Sequence, residues 1–441
     1  MGHRSSHSRL AHLLCLLPVL VILVLTLFEV QLPLLLVPVL MLLCCLAMAY
    51  VMADACAHDH RPVPDRVPES PPAPDAPEAL TDVVRVEHVR RVGDATVLEG
   101  ELLGEPGEVY ETLKRRYEGS GTVPLLQEGA DGRPVVVLVP RGTESGDAAA
   151  PGPWVPVLLL VATLATTTWA GAAHAGVDLL REPGRFAAGL PYALALLLIL
   201  GVHESGHYLA ARAHGMRVSP PYFIPVPFGL GTFGAFIQLR SPAENRRALF
   251  DVAAAGPLAG LAVAVPALWI GLHYSSVVPA QGAGGHAGGV NVGSSVLLAV
   301  VAKLSVGDVL AQGHVLVLHP IAFAGWLGLL ITALNLVPIG QLDGGHVADA
   351  MFGRRRGAAV ATAAVVALFG LGLFVWTGLL GWALLVFFIA GAKGLPPLDD
   401  VSRLGAGRRA LGWLTFALLV LILVPVPHRL YSPLGLHCPY L

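Results

Sequence analysis

Apolar stretches separated by polar segments dominate the pattern along the chain. Stretches of about 20 apolar residues are long enough to cross the hydrocarbon core of a bilayer as α-helices. Residues 1–52 are apolar apart from a charged N-terminus and a polar break near residue 30, which predicts a transmembrane hairpin. Seven further spans are predicted near residues 154–173, 187–207, 249–272, 315–337, 358–376, 379–392 and 411–424.

The two segments between the hairpin and the later spans have a different pattern. Residues 53–80 are polar and rich in proline, which favours an extended linker. Residues 81–150 predict a small soluble α+β domain, with strands at 83–92, 96–103, 122–127 and 135–139 and a helix at 106–117. We predict an α-helical polytopic membrane protein. A membrane core at 151–402 and a C-terminal segment at 403–441 follow the hairpin, the linker and the soluble domain.

Composition and charge agree with a protein of the lipid bilayer. Of the 441 residues 55% are hydrophobic and only 13% are charged, against roughly a quarter in soluble domains. The net charge of −2 gives no basic excess for nucleic acid. Most basic residues fall on one side of the spans if the N-terminus is cytoplasmic, with Arg181, Arg185 and Lys303 as exceptions, so the soluble domain is predicted to be cytoplasmic. With no Ser- and Arg-rich transit segment before the first span, we expect a bacterial inner membrane; homo-oligomerisation stays open.

A metal-binding motif ends one of these apolar stretches. His203 and His207 are four residues apart and share one face of a helix, with Glu204 between them. Ionisable residues inside a membrane segment are rare and usually functional. We therefore predict that the two histidines bind one Zn²⁺ per chain and that Glu204 acts on a water at the ion.

A third ligand is needed, because catalytic zinc normally keeps three protein ligands and one open position. The run 315–337 ends in a break rich in proline and glycine that contains Asp343, at the membrane depth of His207. Asp343 is the predicted third ligand; alternatively, it caps the next helix. His346 could ligate or orient Asp343, or lie exposed, whereas His214 is expected to be solvated and Asp251 to serve the helix dipole.

Two further features concern the substrate. Asn335 could donate a hydrogen bond to a developing oxyanion or cap its own helix. Residues 220–240 are apolar but broken by proline and glycine, and 233–239 predict a strand of a short β-hairpin within the membrane-embedded zinc site. Its edge could pair with an unwound substrate segment, or the segment could be a re-entrant structural loop.

The predicted chemistry is peptide hydrolysis, in which Glu204 takes a proton from water and returns it to the leaving amine. The substrate would be a transmembrane protein within the lipid bilayer. Two other functions remain open on the residues alone. A zinc or other metal transporter would also place histidine and aspartate in the membrane interior, and an inactive membrane adaptor could keep the same scaffold.

The motifs together resemble the site-2 protease family of intramembrane zinc metalloproteases. The resemblance rests on His203-Glu-Ser-Gly-His207, Gly256-Pro257 and Asn335-Leu-Val-Pro-Ile-Gly-Gln-Leu-Asp-Gly344. Gln341-Leu-Asp-Gly-Gly and Pro396-Pro-Leu-Asp-Asp400 resemble the branch named for ethylene-dependent gravitropism-deficient, yellow-green mutants.

This resemblance covers about residues 84 to 402 and carries roles for particular residues. It implies that His203, His207 and Asp343 bind zinc, that Glu204 activates water and that Asn335 assists. It also implies regulated intramembrane proteolysis of transmembrane substrates. Gly260 departs from the pattern, because many relatives carry Asn there.

Overall fold

The computed structural model describes residues 80–129, 132–140, 152, 154–279, 295–306, 314–374 and 396–423. The predicted hairpin at 1–52, nearly all of the linker at 53–80 and the predicted span at 379–392 lie outside the described residues. The chain forms two units, one of residues 1–74 with 362–393 and one of residues 75–361 with 394–441. The sheet and the candidate metal ligands both belong to the second unit.

The first part of that unit is a four-stranded antiparallel sheet with one helix. The strands are β1 (Val84–Val92), β2 (Ala95–Leu102), β3 (Thr122–Glu128) and β4 (Pro134–Pro140), and their order is β1-β2-β4-β3. Helix α1 (Pro106–Arg116) begins with a proline, whose missing N–H has no role in a first turn. It buries Val109, Tyr110 and Leu113 in a core shared with the sheet. We call residues 80–140 the α+β module.

The membrane core consists of apolar helices joined by short strands and turns. Its helices are α2 (Trp154–His174), α3 (Leu190–Ala213), α4 (Arg246–His273), α5 (Val296–Val306), α6 (Pro320–Leu336), α7 (Asp343–Phe352), α8 (Arg354–Phe374) and α9 (Ala406–Leu423). Among the described residues four segments are long and apolar enough to cross a membrane, and they contain α2, α3, α4 and α9. The protein is a membrane protein, and α3, α4 and α6 form the centre of its described core.

Several predicted boundaries are wrong in detail. The span predicted at 315–337 is divided, because residues 314–317 form strand β8, paired with β7 (Ser276–Pro279), before α6 begins at Pro320. Helix α5 was not predicted as a separate element. The helix that carries the histidine motif continues beyond the predicted span to Ala213 and ends just before Gly215, which has a positive φ of 71°. Strand β8 and helix α6 are both apolar, and apolar content alone does not show where a strand ends and a helix begins. This explains why one long span was predicted.

A short β-hairpin lies between α3 and α4. Strand β5 (Tyr222–Pro225) pairs antiparallel with β6 (Thr232–Phe236), close to the strand predicted at 233–239. Its turn is held against two helices: Thr166 of α2 donates a hydrogen bond to the carbonyl of Gly231 at 2.7 Å, and Tyr192 of α3 donates one to Leu230 at 2.9 Å. The hairpin is therefore fixed against the helical core at its turn.

Candidate metal centre

Helix α3 carries the first two candidate ligands on one buried face. His203 and His207 are separated by one helical turn, and only 3% and 7% of their surfaces are exposed. Apolar residues on the same face, among them Leu196 and Ile199, are equally buried and draw this face against the neighbouring helices. The imidazoles are therefore placed inside the apolar core rather than at its surface.

The third candidate, Asp343, is brought to the histidines by the break between α6 and α7. Helix α6 ends at Leu336, since Val337 precedes a proline and takes an extended conformation. Helix α7 then begins directly at Asp343, and its N-cap residue makes no side-chain bond. Its first turn packs so tightly on α6 that a side chain at Gly344 would lie 1.9 Å from the carbonyl oxygen of Leu336. The close turn directs Asp343 toward α3.

The three ligand atoms form a nearly equilateral triangle. The His203 Nε2 and His207 Nε2 atoms are 3.2 Å apart, and Asp343 Oδ2 lies 3.5 Å from the first and 3.3 Å from the second. Two ligands of a tetrahedral zinc ion at 2.0–2.1 Å are separated by about 3.3–3.4 Å. The triangle therefore has the dimensions of one face of a zinc tetrahedron. Among the described residues this is the group of His, Cys, Asp and Glu side chains that could hold a metal ion.

A backbone contact fixes the orientation of His207. Its Nδ1 lies 2.7 Å from the carbonyl oxygen of Val252 in α4 and donates a hydrogen bond to it. The proton on Nδ1 leaves Nε2 with a free lone pair, directed at His203 and Asp343. The position of α4 thus sets the tautomer and the ring plane of one candidate ligand.

Close packing of α3 and α4 makes this contact possible. A side chain at Gly256 would lie 2.1 Å from His207 Nε2, in the space of the ring itself. An added Cβ at Gly260 would lie 2.9 Å from His203 Nδ1, so the glycine at this position leaves room for the His203 ring. The Gly256-Pro257 motif therefore has a steric role, since only glycine lets the helix approach the ring.

Glu204 lies between the candidate ligands and the hairpin. It is buried on α3 beside His203, and its carboxyl interacts with the backbone of Ile237, the residue after β6. Glu204, which is predicted to transfer a proton, is thus next to β6, which is predicted to pair with the substrate peptide. Neither contact assigns the catalytic role, which stays a prediction.

Asn335 reaches the same cluster from the end of α6. Its Nδ2 lies 3.4 Å from His203 Nε2, a long contact in which the amide points at the candidate metal-binding atom. This position puts an amide donor beside the three ligand atoms. The contact crosses to α3, and the role of Asn335 stays a prediction.

Two other sequence expectations concern His214 and Asp251. His214 was expected to be solvated; it is partly exposed, and its Nε2 also lies 2.9 Å from Asp251 Oδ2. Asp251 was expected to serve the helix dipole in a first turn, but α4 begins at Arg246 and has no acidic residue in its first turn. Asp251 instead accepts two hydrogen bonds from Arg408 of α9, at 2.7 and 2.8 Å. These three residues join the ends of α3, α4 and α9. His346 lies outside the three-residue metal group.

The apolar helices thus place a His–His–Asp cluster that could hold a metal ion inside the core of the protein. Residues 191–378, which contain all three candidate ligands, match Peptidase family M50. This match agrees with the resemblance to the site-2 protease family that the sequence motifs predicted.

Curated plant proteins are similar over a longer part of the chain. A protein named probable zinc metalloprotease EGY2, chloroplastic, from Arabidopsis thaliana is 32% identical over 345 residues, 75% of this chain and 60% of that protein. The Arabidopsis EGY1 protein is 36% identical over 257 residues, 56% and 45% of the two chains. The EGY3 protein of Oryza sativa subsp. indica is 29% identical over 388 residues, 80% and 64%. The chain thus spans about 60% of the length of the first of these relatives.

Proposed function

We propose that the protein is an intramembrane zinc metalloprotease that cleaves peptide bonds within or next to transmembrane segments of membrane proteins. The observation that carries the proposal is the triangle of His203, His207 and Asp343, whose edges of 3.2–3.5 Å fit one face of a zinc tetrahedron. The M50 match and the zinc metalloprotease names of the relatives support the same ion and the same reaction.

The chain's own residues provide the remaining chemistry. When bound, zinc would act as a Lewis acid that lowers the pKa of water and polarises the scissile carbonyl. The Glu204 carboxylate accepts a proton from the attacking water and returns it to the leaving nitrogen, so the peptide bond breaks with no net change in protons. The amide of Asn335 is near enough to donate a hydrogen bond to the carbonyl oxygen as it becomes negative.

The β-hairpin is the proposed platform for the substrate. Strand β6 pairs only with β5 among the described residues, so its other edge has backbone groups without a strand partner. An unwound segment of a transmembrane helix could add to this edge through main-chain hydrogen bonds. The backbone of Ile237, directly after β6, interacts with Glu204, which would bring the added peptide to the reacting groups.

The proposed setting is a bilayer with the α+β module on the cytoplasmic side. The arginines that follow α3 and that begin α8 support this orientation. The bacterial inner membrane stays a prediction, to which the relatives, whose names say chloroplastic, lend no support. Homo-oligomerisation likewise stays open, and neither the M50 match nor the relatives' names support a metal transporter.

Cleavage of a model transmembrane substrate by the purified chain in proteoliposomes tests the proposal. Glu204→Gln keeps the size of the side chain but cannot accept the proton, so we expect loss of cleavage with one zinc per chain retained. Asp343→Asn should lower zinc content as well as cleavage. Full cleavage by the Glu204→Gln variant would contradict the proposal, and zinc flux lost on Asp343→Ala would favour the transporter.

A further inference from the structure

A short segment joins the α+β module to the membrane core. Residues 398–400 lie as an extended strand between β3 and residues 243–245. On one side the N–H of Leu126 donates to Leu398 and that of Asp400 donates to Leu126, each at 2.8 Å. On the other side Leu398 and Asp399 donate to the carbonyls of Ala243 and Glu244, at 2.9 and 2.8 Å. The sheet of the module therefore continues through this segment to the residues directly before α4.

Charged side chains reinforce the same junction. Arg246, the first residue of α4, donates from Nε to Asp400 Oδ1 at 2.9 Å, and the side chains are only 11% and 2% exposed. Glu128 of β3 lies 3.8 Å from the same guanidinium. Lys114 of α1 pairs with Glu244 nearby. A buried ion pair of this kind is weak evidence for stability but leaves an uncompensated charge when one partner is removed.

The ion pair at the start of α4 is connected to the candidate metal centre through this helix. Asn245 caps the helix by accepting a hydrogen bond from the N–H of Ala248 at 2.9 Å. Val252, whose carbonyl accepts the His207 proton, lies six residues after Arg246, about 9 Å along a helix axis. Gly256, one turn further on, contacts the same imidazole. A shift of α4 along its axis would move both contacts.

We propose that the α+β module is a positioning element of the zinc site, and that Asp400 and Arg246 are positioning residues that act through α4 on His207. The module then does more than lie next to the membrane core, because its sheet edge and the 398–400 segment set where α4 begins. This inference rests on the proposed zinc site and adds to it a source of control outside the apolar helices. If Asp400 and Arg246 had a purely structural role, their substitution would lower the stability of the fold and leave zinc retention unchanged.

The test compares zinc loss and cleavage in variants of the full chain in detergent or nanodiscs. Asp400→Asn keeps the shape of the side chain and removes the charge that pairs with Arg246. We expect zinc to be lost to a chelator roughly 2- to 30-fold faster, with a lower kcat and an unchanged KM. Arg246→Lys, which keeps the charge but not the planar donor, should fall between this variant and the unmodified protein.

A matched control lies in the same module, away from α4. Arg85 and Glu101 form an exposed ion pair between β1 and β2, with 68% and 66% of the side chains accessible. Glu101→Gln removes an exposed ion pair of the same module and should leave zinc loss and kcat unchanged. Equal rates of zinc loss for Asp400→Asn and Glu101→Gln would overturn the inference.

A second variant decides the question if Asp400→Asn does not fold. Glu244→Gln removes the more exposed Lys114 pair at the same junction, and we expect faster zinc loss in the same direction but to a smaller degree. No change in zinc loss for this folded variant would overturn the inference in that case. The unmodified protein distinguishes failure of this inference from failure of the proposed function. If it neither retains zinc nor cleaves the substrate, the proposed function itself is wrong.

Discussion

The Nδ1 atom of His207 donates a hydrogen bond to the carbonyl oxygen of Val252 across a distance of 2.7 Å. This contact joins the helix that carries the HExxH motif to a helix that supplies no candidate ligand. It selects the tautomer in which Nε2 can bind a metal, and partners of this kind typically change metal affinity 10- to 100-fold when lost. The ligand geometry therefore depends on how closely α3 and α4 pack.

Gly256→Ala tests this dependence on close packing. The added methyl group would lie 2.1 Å from His207 Nε2, so either the ring or α4 must move and the bond to Val252 is lost. We expect at least about a 10-fold loss in zinc affinity, measured by competition with a chelator. Gly407→Ala in α9 is the control, because nothing lies within 4 Å of a methyl group there, and its zinc affinity should not change.

Asn335→Ala tests the proposed role of the amide donor. Loss of one such donor to a developing oxyanion typically lowers kcat by about 10²–10³. We expect a decrease of this size in kcat, a small change in KM and full zinc content, measured with a model transmembrane substrate. A variant that loses zinc and stability while its remaining folded fraction keeps normal kcat would instead show that Asn335 acts on His203 as a structural contact.

The sequence could group the three candidate ligands because each signal is local. Positions four apart on a helix share a face, and a polar break at the same depth is rare in an apolar chain, so spacing and hydropathy are enough to group His203, His207 and Asp343. The strands of the α+β module also followed from alternation and turn residues, to within a residue or two.

Contacts that depend on packing could not be predicted in this way. Every residue has a backbone carbonyl, so nothing in the sequence marks Val252 as the partner of His207. The bond between Asp251 and Arg408 joins residues 157 positions apart, and each residue alone suggests only a helix end. The Gly256-Pro257 motif was noticeable in the sequence, but its steric reason required the distance to the imidazole ring.

Thr166→Val tests the proposed use of the hairpin. The Thr166 hydroxyl holds the hairpin turn through the carbonyl of Gly231, and one such bond typically contributes about 0.5–1.5 kcal/mol. We expect kcat/KM for a transmembrane substrate to fall roughly 2- to 10-fold with zinc content unchanged. The control is Thr163→Val, because Thr163 donates only within its own helix, to Leu159. Equal effects of both variants would argue against the hairpin as a substrate platform.

Asp349 of α7 is expected to make stability depend on pH. Burial raises the pKa of its carboxyl from 3.8 to about 6, although Arg354 and Arg246 act in the opposite direction. A raised pKa means that the folded protein binds the proton more tightly than the unfolded chain does. The resulting stabilisation is complete below about pH 3.8 and is lost as the pH rises through about 6.

Asp349→Asn removes this titration while nearly keeping the shape of the side chain. As the pH rises from 5 to 8, we expect the free energy of unfolding of the variant to increase relative to that of the unmodified protein. The expected increase is on the order of 1 kcal/mol after allowance for solvent screening. Thermal unfolding across this range measures the difference. Asp82→Asn is the control: a hydrogen bond from Arg116 lowers the pKa of Asp82 to about 2, so its stabilisation is fully present above about pH 3.8 and its removal should have the same effect at every pH between 5 and 8. Parallel pH profiles for Asp349→Asn and the unmodified protein would show that the pKa of Asp349 is not raised on folding.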